Sequence, residues 1–398
     1  MILPFFLLFL GVFAQNETTT EAPNPIYSDA RCLPECIFES NIIETRSIEY
    51  FPQNCTTVCA PHGLHISIST DYTEKQLIDI LKNMKHLIGN LYVSRSKYKS
   101  CKMLENLETV DCYNYGSFTI EMNNQMTEVG MPKLTNVSCR VSISNTNMTR
   151  MNLPNMMLVK SPVVNYSTID VEIYYNSPDF CITIQEMLNL MKPDYIALNR
   201  FNRMYGSYCE IPDTSVFSLK TCDIENSTLA GLDSGCVQLR GDVKIEEGDE
   251  EYVKKLESVE TIFGALIVRG TNLTNLQFLS KLKNIMSFAK EDPAVLVEFN
   301  PLLTNVSLPS FKRYLSNAHN PILFNNNSAE LLKNPDHCYS VRNGVTTEMT
   351  WIAKFDGKVC EDIERVSASP AAQDKSAIIG GSKIFSLFLM LILFMSKC

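Results

Sequence analysis

Five histidines, His62, His65, His86, His319 and His337, are the only imidazoles this chain offers for acid–base or metal chemistry. His62 and His65 stand three apart, a spacing at which two rings could ligate one ion. The strand-like alternation around them places His65 outward, and no acidic partner is patterned nearby. The acidic run at 246–251 (EEGDEE) has the charge to attract calcium, but it reads better as a solvated loop leading into an amphipathic segment. No GxSxG, HExxH, phosphate-binding loop or GxGxxG motif occurs. The residues predict no catalytic centre, no metal site and no cofactor, so the function to look for is binding.

What positions a binding surface is set first by compartment. The 398 residues carry a formal charge of −9 and no Lys/Arg block, which excludes the basic stripe that nucleic acid requires. Residues 1–14 (MILPFFLLFLGVFA) form an apolar run too short to span a bilayer and ending in small residues. This is the pattern of a signal peptide, with a buried N-terminal strand as the alternative. Nine Asn-x-Ser/Thr sequons follow, at Asn16, Asn54, Asn136, Asn147, Asn165, Asn226, Asn272, Asn305 and Asn326, beside 14 cysteines without a CxxC pair. Export into an oxidising compartment explains both. The last apolar run, 384–395, is 12 residues long, about 18 Å as a helix against a ~30 Å hydrocarbon core. With its small residues and polar spacer upstream it reads as a GPI-anchor signal. A single helix over 377–395 with Lys383 inside it is the rival. Either places the protein on the outer face of the plasma membrane.

The strongest internal pattern is a duplication. Gly89-Asn90-Leu91-Tyr92-Val93 reappears as Gly264-Ala265-Leu266-Ile267-Val268, an offset of 175. Leu104, Leu107 and Val110 then match Leu279, Leu282 and Ile285. After a two-residue slip, Ile120-Glu121-Met122-Asn123 matches Val297-Glu298-Phe299-Asn300. Met126, Val129 and Met131 match Leu303, Val306 and Leu308. Within each copy a short strand, apolar residues three apart and a turn recur about every 22–30 residues, the length of one solenoid rung. Period-2 alternation sends Leu91, Val93, Leu266 and Val268 inward, and Asn90, Tyr92, Ala265 and Ile267 outward. An additional rung at 141–154 lengthens the first copy. Helices are predicted over 74–86, capped by Thr73, and over 251–259.

Asn54-Cys55-Thr56-Thr57-Val58 with Gly63-Leu64-His65-Ile66 resembles the opening of an insulin/EGF-receptor L domain, and Cys236, Leu239, Gly241, Val243 and Ile245 repeat it. Pro178-Asp179-Phe180-Cys181 and Asn334-Pro335-Asp336-His337-Cys338-Tyr339, followed by Trp351, resemble the close of such domains. The resemblance covers roughly residues 32–360. It implies a mainly β fold with capping helices, two tandem right-handed β-helix domains related to leucine-rich solenoids, and extracellular ligand binding. No cysteine-rich module separates the copies and no kinase follows the apolar tail, so the chain is similar to the kinase-less two-L-domain surface proteins of nematodes. The implied organisation is a signal peptide at 1–14, a linker at 15–31, L domains at 32–210 and 211–360, a stalk at 361–376 and the tail at 377–398. The resemblance also implies disulfides Cys181–Cys209, Cys338–Cys360 and Cys222–Cys236, with two more among Cys32, Cys36, Cys55 and Cys59. Cys101, Cys112 and Cys139 are left over, so one thiol is free or bonds another chain.

The sequons are read as lying in turns or linkers, away from the strands 89–93, 118–122, 264–268 and 295–299. Those strands would stack into an unglycosylated sheet in each copy with Tyr92, Ile267 and Leu296 on its outer side, either as an exposed interface or covered by the other copy or a loop. The expected partner is an extracellular protein or peptide, growth-factor or insulin-like in class, held by a decoy or co-receptor at the membrane. The alternative is a structural or adhesive protein that binds other copies of itself. Oligomeric state is not encoded in the pattern.

Overall fold

A computed structural model describes residues 24–113, 116–160, 168–192, 198–211, 218–345 and 352–368. The signal segment at 1–14, Asn16, Asn165, Trp351 and the apolar tail lie outside the described residues. Among the described residues the fold is mainly β, with four α-helices.

All sheet pairing between named strands is parallel, and paired residues lie 17–31 residues apart along the chain. Parallel neighbours cannot be joined by a tight turn, so each repeat travels out of the sheet and returns one strand over. In copy two this produces two five-stranded ladders. One runs Thr221–Asp223, Gln238–Arg240, Thr261–Phe263, Asn284–Met286 and Arg313–Leu315. The other runs Val243–Ile245, Leu266–Arg269, Val295–Glu298, Ile322–Asn325 and Ala353–Phe355. In copy one the long strands Thr57–Ile66 and His86–Ser94 bend from one ladder into the other, so both belong to a single nine-stranded sheet.

The bend is made by the glycine pair found in the duplication. A Cβ on Gly89 would fall 2.4 Å from the Ala60 carbonyl oxygen, and one on Gly264 would fall 2.3 Å from that of Gly241. Only glycine lets neighbouring repeats approach this closely at the corner. The turn also overrules the simple alternation for Ala265. It lies between the two strands, is 3% exposed, and its N–H donates to the Asp242 carboxylate at 2.8 Å.

Inside each copy, columns of apolar residues run across the rungs. Leu64, Leu91, Phe118, Val141 and Val171 form one column in copy one, and Val243, Leu266, Val295, Ile322 and Ala353 its counterpart. All ten are fully buried. Each large aliphatic side chain so buried contributes about 1.5–3 kcal/mol, and a single rung has no second surface against which to bury it. Beyond the matching strands Ser117–Glu121 and Val295–Glu298 the chain turns on a buried asparagine. Asn123 accepts from the Ser96 N–H and donates to the Val93 carbonyl, both at 2.8 Å. Asn300 does the same with Thr271 and Val268 at 2.9 and 3.1 Å.

Helix α1 (Glu74–Leu81) starts at a Thr73/Gln76 capping box and buries Leu77 and Leu81. It is shorter than the 74–86 span because the Lys85 and His86 N–H groups bond to the Thr56 carbonyl and begin the next strand. The segment 251–259 supports only a 3-10 turn, Val253–Leu256, which buries its two apolar ends. Helix α2 (Ile184–Met191) closes copy one. Its buried Glu186 caps Thr183 and accepts from the Leu153 N–H at 2.9 Å. Helices α3 (Asp336–Gly344) and α4 (Cys360–Ser367) close copy two.

Two boundaries move. Residues 24–31, read as linker, pack on the first rung: Ile26 is buried and Arg31 pairs with Asp29 and Asp111. Residues 361–367, read as stalk, continue α4, whose Ile363 is buried in the core of copy two.

The copies meet through the outer side of copy two's first ladder. Phe263, Met286, Phe288 and Leu315 pack into the core of copy one. The Tyr208 ring lies 5.2 Å from Phe263 and 4.5 Å from Phe288, and its hydroxyl donates to the Met286 carbonyl at 3.1 Å. The buried Arg240 side chain donates to the carbonyls of Cys209 and Tyr208 and pairs with Asp223 and Glu225.

Candidate functional site

The second ladder of copy two presents one row of outward side chains. Register pairs Lys244 with Ile267, Ile267 with Leu296, Leu296 with Leu323, and Leu323 with Lys354. Three branched aliphatics on adjacent rungs therefore form a stripe with a lysine at each end. Ile267, Leu296 and Leu323 are half-buried, whereas the residues flanking them in sequence face the core. Rungs lie about 4.8 Å apart, so the three side chains touch along the stack and bury part of one another. Beside the stripe, Phe299 sits in the left-handed region at φ 57° and is 52% exposed. The buried Asn300 that follows holds that turn.

The corresponding row of copy one is His65, Tyr92, Thr119, Ser142 and Glu172. The Tyr92 and His65 rings lie 4.5 Å apart, and burial lowers the His65 pKa, which keeps its imidazole neutral at physiological pH. Thr119 is nearly buried and its hydroxyl bonds to Ser117. Of the three outward residues singled out in the sequence, the structure brings Ile267 and Leu296 together and places Tyr92 apart, in the other copy. Sequence reasoning missed Leu323, Lys244 and Lys354. Leu323 occupies the same step of the alternation, and only its weak match to the duplication concealed it.

Asn54, Asn147, Asn226, Asn272 and Asn326 are exposed in turns, and Asn305 is half-buried in a bridge to Asn275. Asn136 departs from the turn expectation because it is half-buried in the strand Asn136–Val137. None of these seven occupies an outward-row position of either copy. The acidic run folds on itself: the Glu246 N–H donates to Asp249, and Glu250 accepts from the N–H groups of Gly248 and Asn272. His62 and His65 belong to no group of three metal-ligating side chains among the described residues.

Six disulfides join Cys32–Cys59, Cys36–Cys55, Cys112–Cys139, Cys181–Cys209, Cys222–Cys236 and Cys338–Cys360. The four N-terminal cysteines thus make nested bonds, and Cys112 pairs with Cys139 across adjacent rungs. Cys101 is free and wholly buried, and burial, with Glu74 nearby, pushes its thiol up to about 12. A thiol so placed is inaccessible to another chain. Among the described residues no helix is long and apolar enough to cross a membrane.

Two comparisons bear on this arrangement. A family model of the receptor L domain matches residues 54–149 and again 235–344, one match in each copy. The chain is also similar to Protein irld-34 of Caenorhabditis elegans, 23% identical over 304 residues that cover 70% of this chain and 67% of that protein.

Proposed function

This chain belongs to the receptor L domain family, and on that premise we propose that it is a non-catalytic surface protein that captures an extracellular protein or peptide ligand on the outer sheet face of copy two. The observation that carries the reading is the Ile267–Leu296–Leu323 stripe, an apolar row left half-exposed on a rigid sheet and flanked by Lys244 and Lys354. Apolar rows of this kind mark interfaces, because a monomer gains nothing from holding them at its surface. The position of the seven described sequons outside the row supports it, since glycans would exclude a protein from whatever they cover. Six disulfides support an oxidising, extracellular setting.

The same reading takes each copy as a right-handed β-helix, the ligand as growth-factor or insulin-like, and the tail as a lipid anchor that holds the protein on the outer face of the plasma membrane. There it acts as a decoy or co-receptor. The test is Ile267→Arg in the glycosylated chain. The variant should be exported at wild-type levels yet capture at least 100-fold less ligand from extracellular fluid. Undiminished capture would remove the stripe from the account.

A further inference from the structure

Where the two copies meet, a cleft of about 820 Å³ opens at the corner between the ladders of copy two. Gly206, Ser207 and Tyr208 of copy one form one wall, and Phe263 and Phe288 lie behind it. Copy two supplies the charged rim, with Glu225, Asp242, Glu246, Glu247 and Asp249 against Arg240 and Lys244. Arg240 is already engaged by Asp223 and Glu225. Lys244, the other cation among the described residues of the rim, is also the first residue of the outward row. The volume falls within the ~300–1,000 Å³ of sites that enclose a small ligand or a short peptide segment. Carboxylates around a partly apolar, partly enclosed space concentrate field that water would otherwise screen. Glu246 and Glu247 are exposed at the rim, where a cation of the incoming segment can reach them.

We propose that this cleft binds a basic peptide segment, an Arg or Lys side chain with an apolar neighbour. The guanidinium or ammonium would meet Glu246 and Glu247, and the apolar neighbour would lie toward Phe288. The site is built by both copies and goes beyond the sheet-face reading, which does not depend on it.

Calorimetric titration of the full glycosylated chain with acetyl-Arg-Leu-Arg-Phe-amide at low ionic strength tests the proposal. Expected are saturable one-to-one binding, progressive weakening with added salt, and about a tenfold loss in the Glu246→Gln/Glu247→Gln variant, whose substitutions lie on an exposed turn. Leu323→Arg, on the sheet face, should leave peptide affinity within about twofold, so loss of either site is seen separately. The proposal is overturned by absence of saturable binding, by equal binding of acetyl-Glu-Leu-Glu-Phe-amide, or by an unchanged affinity in the double variant. Spermine binding as tightly as the peptide would overturn the peptide assignment in favour of a simple polycation.

Discussion

Copy two carries two outward rows rich in apolar residues, and among the described residues only one of them is covered. Arg240, Phe263, Met286 and Leu315 line the first ladder and vanish against copy one. Lys244, Ile267, Leu296, Leu323 and Lys354 line the second, where Lys244 is exposed and the other four stay half-exposed. The covered row opens on the Asp223–Arg240 ion pair and the open row on Lys244, and both continue through apolar residues. The covered row shows what such a surface does when a partner is present: aromatic contacts, a buried arginine and carbonyls satisfied across the boundary. Among the described residues the open row has no such partner. Copy one sharpens the contrast, because its corresponding row is polar, with His65, Tyr92, Thr119, Ser142 and Glu172 above equally apolar columns. The inward positions are constrained by packing in both copies. The outward ones are free to diverge, and there the copies differ.

The contrast can be broken energetically. Phe263→Ala removes a fully buried ring from the covered row and should cost about 3–5 kcal/mol, measured by denaturant unfolding, with the single transition splitting into two as the copies uncouple. Arg240→Ala should cost less, about 1–3 kcal/mol. Its carboxylate partners are partly solvated, so the loss comes mainly from the abandoned Cys209 and Tyr208 carbonyls. Leu296→Ser in the open row should change stability by only about 0.5–1 kcal/mol while still weakening capture. If Leu296→Ser proved as destabilising as Phe263→Ala, the open row would be core and not surface.

The smallest effect concerns copy one. His65 has a folded pKa lowered by burial, so folding favours its neutral form. That contribution is fully present above the unfolded value of about 6.5 and is lost as pH falls through the folded pKa. Thermal unfolding at pH 7.5 and 5.5 should show a modest acid destabilisation that His65→Gln reduces. An identical pH response in the variant would assign the effect to other groups.

Much of the interior was legible. The Gly89/Gly264 match fixed the corner and, with it, the register of Leu91, Val93, Leu266 and Val268, because a steric demand for glycine leaves a mark in sequence. The junction was not legible. Its strands are three residues long, too short for an alternation to show, and Phe263 or Met286 reads as ordinary core whichever side it faces. Helix α2 escaped for a related reason: its capping box is explicit in Thr183 and Glu186, but the apolar run around it also suits a strand. Residues 24–31 look like linker by composition, and what ties them down is the burial of Ile26 with contacts such as Asn24–Pro61 and Arg31–Asp111, at sequence distances no local pattern reports.

Radical footprinting of the glycosylated chain, before and after loading from extracellular fluid, tests the central claim most directly. The account predicts that Ile267, Leu296 and Leu323 lose reactivity on loading while Tyr92 keeps its own. A fully loaded chain whose three aliphatics label as strongly as before would contradict it.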